Sequence, residues 1–283
     1  MSDDDTRRFF ASFANAALER SLPQIREWLK RRLGPRASLG GLALEGERVR
    51  LRDARLPFAG HLVLHVDTAL LWADPAALVA AGVDLAGALR SVRLESMRGT
   101  LHAYRDGEPA LSAPVRVTAR PSGEWLDADV VIDGGSWRAV RSEGEQAPLA
   151  GRARVRVDGP AWSLTELTLT SGDARVEGSV RGAARTLEAA DVEVRSTGLG
   201  HLADAFEALT ARTPPPIPLP WGAQVDGRLE REGARTRARL DGGEGTRRIA
   251  LRVSLEGKRI EAAELEACLG WADVTRALPL VSP

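Results

Sequence analysis

Hydrophobic and polar residues alternate along most of this chain, and the alternation is most regular between residues 149 and 182. Val155 and Val157 alternate there with Arg154 and Arg156. A period of two is typical of a β-strand with one apolar and one polar face. The segment therefore predicts strands that each bury only one side.

Breaks in the alternation divide this segment into three strands. Asp158-Gly159-Pro160 and Ser171-Gly172 predict turns, because Gly and Pro interrupt strands. Between Leu164 and Leu167 the apolar positions change parity, which predicts a β-bulge at Thr165-Glu166. We expect three antiparallel strands whose valines share one face: Val155, Val157, Val176 and Val180.

The same pattern recurs on both sides of this segment. It predicts further strands at 41–45, 47–53, 60–67, 90–96, 99–105, 112–120, 125–133, 136–141, 187–196, 222–231, 234–241, 246–256 and 259–266. Short helices are expected near 75–89, 199–211 and after residue 271, and the proline-rich segment 213–220 reads as an extended crossing. The fold class is mainly β and antiparallel.

The N-terminal residues 6–33 predict an amphipathic helical segment. Ser21-Leu22-Pro23-Gln24 resembles a capping box and predicts a second helix start, hence a helical hairpin that covers an end of the sheet. A basic amphipathic segment on a membrane surface or a partner is the alternative. Its contact residues would be Phe9, Phe10, Phe13, Trp28, Lys30, Arg31 and Arg32. We place residues 1–38 in this segment and residues 39–283 in one repeating β domain.

Charge and composition exclude several functions. The 39 basic and 39 acidic residues balance, so we expect no nucleic-acid partner. No apolar run is long enough for a transmembrane helix, and the acidic N-terminus does not resemble a signal peptide. Cys268 is the only cysteine, so an internal disulfide is excluded.

Motifs for catalysis and cofactor binding are not found in the sequence. It contains no phosphate-binding glycine loop, no dinucleotide fingerprint and no nucleophile elbow. His61 and His65, followed by Asp67, form the best polar group, but on a strand the two histidines lie about 13 Å apart, too far to share one metal. We expect a non-enzymatic protein without a metal or cofactor.

One-sided strands with few helices must pack their apolar faces together, close into a barrel or line a groove. Alanine-rich inner faces, as at Ala153, Ala174 and Ala238, favour a groove, because a closed core would be filled by larger side chains. The predicted groove lining consists of Leu62, Leu64, Val66, Val92, Leu94, Val115, Val117, Val130, Ile132, Val155, Val157, Val176 and Val180.

Three segments resemble the AsmA-like and TamB-like proteins. Residues 63–105 are similar to the strand, short helix and two strands that open the family's repeats. Residues 164–182 resemble its repeated unit of strand, Ser-Gly turn and strand. Residues 199–233, with Pro220-Trp221-Gly222 before Val225-Asp226-Gly227, resemble the linking helix, Pro-Gly segment and strand.

This resemblance implies an elongated, curved, taco-like antiparallel β groove, related to bridge-like lipid-transfer proteins. It also implies a non-enzymatic protein of the bacterial cell envelope or periplasm that holds the acyl chains of phospholipid or another lipid. A membrane surface would then be a further partner, through residues 6–33. The alternative function is a structural or partner-binding β scaffold that conducts no lipid.

Overall fold

The computed structural model describes residues 3–45, 48–57, 61–72, 93–105, 108–120, 126–138, 146–184, 186–210, 222–257 and 259–268. These ranges contain helices α1 (Asp3–Leu33) and α2 (Leu199–Thr210). The strands are β1 (Ser38–Glu45), β2 (Arg48–Pro57), β3 (Leu62–Trp72), β4 (Arg93–Arg105), β5 (Glu108–Ala119), β6 (Leu126–Arg138), β7 (Gln146–Asp158), β8 (Ala161–Ser171), β9 (Ala174–Ala183), β10 (Thr186–Ser196), β11 (Gln224–Glu232), β12 (Arg235–Glu244), β13 (Arg247–Glu256) and β14 (Arg259–Cys268).

All fourteen strands belong to one antiparallel sheet, in which they follow each other in sequence order. The sheet is open, because β1 and β14 each have one hydrogen-bonded neighbour among the described strands. Each described strand therefore pairs with its neighbours in sequence, and none of the described strands crosses over another. The mainly β, open and curved antiparallel class predicted from the sequence is confirmed.

Residues 1–130 and 131–283 form two compact units. In the first unit, α1 packs on the sheet and a hydrophobic cluster forms around Leu39, Ala54, Val66 and Ala69. Three helix side chains complete that cluster, namely Leu22, Ile25 and Leu29. The helix thus covers the apolar face of the first strands.

The second unit has a smaller hydrophobic cluster at the start of α2. Leu199, Ala223, Val225 and Ile249 are buried there, with Leu202 and Leu240 packed against them. The backbone nitrogen of Leu199 donates to the carbonyl of Ala223 at 2.9 Å, which fixes the first turn of the helix to the chain before β11. This helix agrees closely with the prediction of 199–211.

The predicted helical hairpin is wrong, because α1 is one helix with Pro23 in its interior. Proline lacks the amide hydrogen that would bond to the preceding turn, so an interior proline costs stability. Residues on both sides of it, Leu18 and Ile25, pack against strand residues, and this burial offsets the cost. The helix ends at Leu33, as the predicted bounds 6–33 imply, and the backbone nitrogen of Gly34 donates to the carbonyl of Lys30.

Two predicted strand breaks are also wrong. Residues 93–96 and 99–105 belong to the single strand β4, and residues 126–133 and 136–138 belong to β6. The rest of these predicted segments, 90–92, 125 and 139–141, lies outside the described residues. The predicted break at residues 97–98 lies inside the ladder with β3, and the next residue, Gly99, lies opposite Val66. A Cβ at this position would lie 2.2 Å from the carbonyl oxygen of His65, so glycine permits a close approach of two strands here.

Several predicted features lie outside the described residues. These are the helix near 75–89, the proline-rich crossing at 213–220, the helix after residue 271 and the groove position Val92.

Candidate functional site

Strand pairing places the apolar residues of β7, β8 and β9 on one face. Val155 lies opposite Leu164, and Leu164 lies opposite Val180. Between Leu164 and Leu167 the register shifts, and Glu166 has a φ of 53°. The predicted bulge at Thr165-Glu166 is confirmed. It keeps both leucines on the same face despite their opposite parity.

Cross-strand pairs extend this face through the rest of the second unit. One row of directly paired residues crosses seven strands and consists of Leu169, Val176, Val194, Gly227, Leu240, Leu251 and Leu265. A parallel row consists of Gly178, Val192, Leu229, Ala238, Val253 and Ala263. We call these two rows the apolar face of the second unit. Six inter-strand spacings of about 4.8 Å make the longer row about 29 Å long.

Side chains of the apolar face are not enclosed as a core would be. Leu229 is 39% exposed and Leu265 is 54% exposed, and the valines at 176, 192 and 194 are half-buried. Within the described part of the chain, no large side chain is fully buried. Helix α2 packs near one end of the face, at Leu240. The apolar face is therefore a large, accessible hydrophobic surface, of the kind that marks a binding site.

The opposite face of the second unit carries charges, which pair across the strands. The Arg228 guanidinium lies 3.2 Å from Asp191, 3.4 Å from Glu193 and 2.9 Å from Glu230. Arg252 and Glu264 lie on the same side at 3.5 Å. We call this side the charged face. Surface ion pairs of this type contribute little stability, but they mark the side that faces water.

In the first unit, the predicted groove residues pack beneath a helix. Leu64, Val66 and Leu94 lie in the cluster that includes α1 residues. Val115 and Val117 are buried on β5 and pair with Gly99 and Met97. Leu62 and Val130 are half-buried, and so is Ile132, which belongs to the second unit. The apolar face of the first unit is thus covered at β1–β4 by the chain itself.

The predicted membrane-contact residues lie at both ends of α1, and only those in its last two turns have described side chains. Trp28 is 37% exposed, and Lys30 pairs with Glu27 at 3.0 Å. Arg31 and Arg32 are also exposed in the last turn. The side chains of Phe9, Phe10 and Phe13 lie outside the described set, although their backbone is helical.

Sequence reasoning missed a histidine and arginine cluster on the face opposite α1. The ring centroids of His65 and His102 lie 4.9 Å apart, in an edge-to-face arrangement. Arg55 lies directly opposite His65 on the neighbouring strand β2. One side-chain nitrogen of each residue is buried without a hydrogen-bond partner. Burial, together with the nearby charges of His65 and Arg55, lowers the pKa of His102 below its ordinary value of 6.5. His102 stands 37 residues from His65 in the sequence, so only the strand pairing brings the two together.

A second polar group joins α2 to the turn between β8 and β9. His201 Nδ1 lies 3.3 Å from Asp173 Oδ1, and its ring lies edge to face 6.2 Å from Trp137. The Trp137 indole nitrogen donates to the Ser171 hydroxyl. These contacts hold the helix against the sheet. They also explain why Trp137 is buried although β6 carries both polar and apolar residues.

The described residues contain no cluster of three or more potential metal ligands. None of the described helices is long and apolar enough to cross a membrane.

Comparison with protein-family models, curated proteins and solved structures finds no match to this chain. Fold and site together define an open-sheet β protein in which one unit has its apolar face covered at β1–β4 by a helix and the other has a broad accessible apolar face.

Proposed function

We propose that this protein binds lipid, and that the apolar face of the second unit holds the acyl chains. The observation that carries the proposal is the accessibility of paired apolar rows that in a closed core would be buried. Exposure of so much hydrophobic surface to water is unfavourable, by about 25 cal/mol per Å², unless a ligand covers it. A bound acyl chain would remove this cost.

The dimensions and polarity of the face fit such a ligand. A row of about 29 Å matches the ~30 Å hydrocarbon thickness of a bilayer, which two acyl chains span end to end. The apolar face offers aliphatic side chains, while the arginines and carboxylates pair with each other on the charged face. This separation suits an amphiphile, whose chains lie on the sheet and whose headgroup stays in water. The resemblance to AsmA-like proteins of the cell envelope points in the same direction.

A substitution of Val176 by Asp tests this proposal. Val176 lies in the longer apolar row, between Leu169 and Val194. Burial of a carboxylate under an acyl chain costs several kcal/mol, so we expect lipid binding to fall at least tenfold. In the free protein, water reaches the new carboxylate on the half-exposed face, and the melting temperature should change little.

Ser163→Asp provides the matched control. Ser163 lies on the charged face, directly opposite Arg156 and Arg181, which can pair with the new carboxylate. Native mass spectrometry of protein purified without detergent should detect bound phospholipid in the wild type and in this control, but not in Val176→Asp. A wild type that never carries or takes up lipid, together with unfolding of Val176→Asp in circular dichroism, would reject the proposal.

A second candidate function, a partner-binding scaffold without lipid conduction, rests on the first unit. There α1 already covers the apolar face at β1–β4 with Leu22, Ile25 and Leu29. A scaffold would need the second apolar face to be covered by a protein partner in the same way. Co-purified protein in place of lipid in the same mass spectra would favour this function.

A further inference from the structure

Three arginines form a row across the first unit, on the face opposite α1. Arg52 lies opposite Thr68, Thr68 lies opposite Arg98, and Arg98 lies opposite Arg116. The neighbours of these residues in sequence, Leu51 and Met97, pack towards the helix. Because side chains alternate along a strand, the arginines project to the other side.

This row lines a cleft of about 640 Å³. Arg50 also lines it, and Asp67 is its only carboxylate. The lining itself thus carries four guanidinium groups and one carboxylate, and after the ion pair of Arg50 with Glu45 outside the lining is counted, the cleft keeps a net positive charge. Asp67 stands at a bulge, where the β3–β4 register shifts between Val66 and Thr68.

The arginines of this cleft are incompletely paired. Arg50 makes an ion pair with Glu45 at 2.6 Å. Arg52 and Arg98 form no hydrogen bond or ion pair with another described residue. Like charges directly opposite each other on neighbouring strands, such as Arg98 and Arg116, are destabilising. An anion between the guanidinium groups would reverse this repulsion.

We infer that this cleft is a binding site for a phosphate-type oxyanion. Arginine presents its N–H donors in a planar fork that matches the oxygens of phosphate, and Arg52 and Arg98 have these donors free. Thr68, between them in the row, adds a hydroxyl donor. The site is on the face opposite the covered apolar side of the first unit, and the inference is independent of lipid binding by the second unit.

Titration calorimetry with inorganic pyrophosphate at low salt tests the site on the full chain. We expect saturable binding to one site, weakened about tenfold by Arg52→Gln or Arg98→Gln and about a hundredfold by the double variant. Asp67→Asn should tighten binding, because it removes the opposing carboxylate. Arg36→Gln, an exposed arginine outside the cleft lining, is the matched control and should bind as the wild type does.

Two further arms distinguish a free phosphate from a lipid headgroup. Flotation with phosphatidylglycerol vesicles, against phosphatidylcholine vesicles, reports headgroup binding. The site is supported if pyrophosphate or phosphatidylglycerol vesicles bind to the wild type and to Arg36→Gln but not to the Arg52→Gln/Arg98→Gln variant. Whichever of the two ligands binds in this way identifies the source of the phosphate group. Two results would overturn it: no saturable binding in either arm, or an equal loss in Arg36→Gln, which would indicate diffuse charge attraction.

Discussion

The backbone conformation of Glu166 keeps the apolar residues of β8 on one face of the sheet. Its positive φ and the register shift beside it bring Leu164 and Leu167 to the same side of β8. Without this bulge, one end of β8 would direct its apolar residues to the charged face, since strand faces alternate with a period of two. The parity change of apolar positions in the sequence was sufficient to predict the bulge.

Gly178, directly opposite Val192 in the second row, is a residue that the fold requires. A Cβ there would lie 2.0 Å from the carbonyl oxygen of Asp191, and its φ of 147° disfavours other residues. We expect Gly178→Ala to lower the free energy of unfolding by about 1–3 kcal/mol. Gly227→Ala on the same face is the control, because its Cβ would make only an ordinary contact, 3.4 Å from Leu240. Urea denaturation of both variants measures the difference, and equal losses would contradict this role of Gly178.

The lowered pKa of His102 predicts that the free energy of unfolding depends on pH. Its pKa in the folded protein lies below the ordinary value of 6.5, first because of burial and then because of His65 and Arg55. Well above pH 6.5 the ring is neutral in both the folded and the unfolded state, and its contribution to stability is complete. As the pH falls below 6.5, the unfolded chain takes up the proton more readily, so stability is lost.

Replacement of His102 by Gln should therefore reduce the loss of stability on acidification. The free energies of unfolding of wild type and His102→Gln, measured at about pH 7.5 and about pH 5.5, give this difference directly. The carboxylates titrate in both proteins and cancel in the comparison. A variant that loses as much stability as the wild type would show that the cluster does not disfavour protonation.

At the scale of elements, α1 protects the outer edge of β1. Asn15 Oδ1 accepts a hydrogen bond from the Leu44 backbone nitrogen at 2.6 Å. The Arg26 guanidinium donates to the carbonyls of Leu39 and Gly40, both at 2.7 Å. Side chains of the helix thus occupy backbone groups that another strand would otherwise pair with, and unprotected strand edges promote association.

Loss of these contacts should destabilise the first unit and expose its edge. We expect Asn15→Ala to lower the free energy of unfolding by about 1–2 kcal/mol, and Arg26→Ala to act in the same direction. Arg20→Ala, an exposed residue of the same helix, is the control. Size-exclusion chromatography should detect more self-association in the first two variants than in the third. Stable, monomeric Asn15 and Arg26 variants would argue against edge protection.

Most strands could be predicted because their alternation is a local property of the sequence. The helix and strand corrections have a different origin. Pro23 acts as a break by local rules, but it lies inside a helix that packs on the sheet, and the predicted break at residues 97–98 lies inside the ladder with β3. The valines of β7 and β9 were expected to share a face, and the register confirms it. Contacts between distant residues, such as Arg98 with Arg116 or His65 with His102, depend on strand register and could not be read from one sequence.

At the scale of the whole molecule, the described strands pair only with their neighbours in sequence. The described strands therefore supply one sheet, and in each unit its apolar side is covered, where it is covered, by a helix. The first unit uses α1 at β1–β4, whereas α2 covers only one end of the apolar face in the second. This contrast is the physical basis for the proposal that the second unit binds lipid.

The most direct test of that assignment is photo-crosslinking with a phospholipid that carries a diazirine in its acyl chain, followed by peptide mapping. The account predicts adducts on residues of the two apolar rows, such as Val194, Leu229 and Leu251, and few on the charged face around Arg228. Val176→Asp should abolish these adducts, while Ser163→Asp should keep them. Adducts concentrated on the charged face, or no adduct above the level of an unrelated soluble protein, would contradict the account.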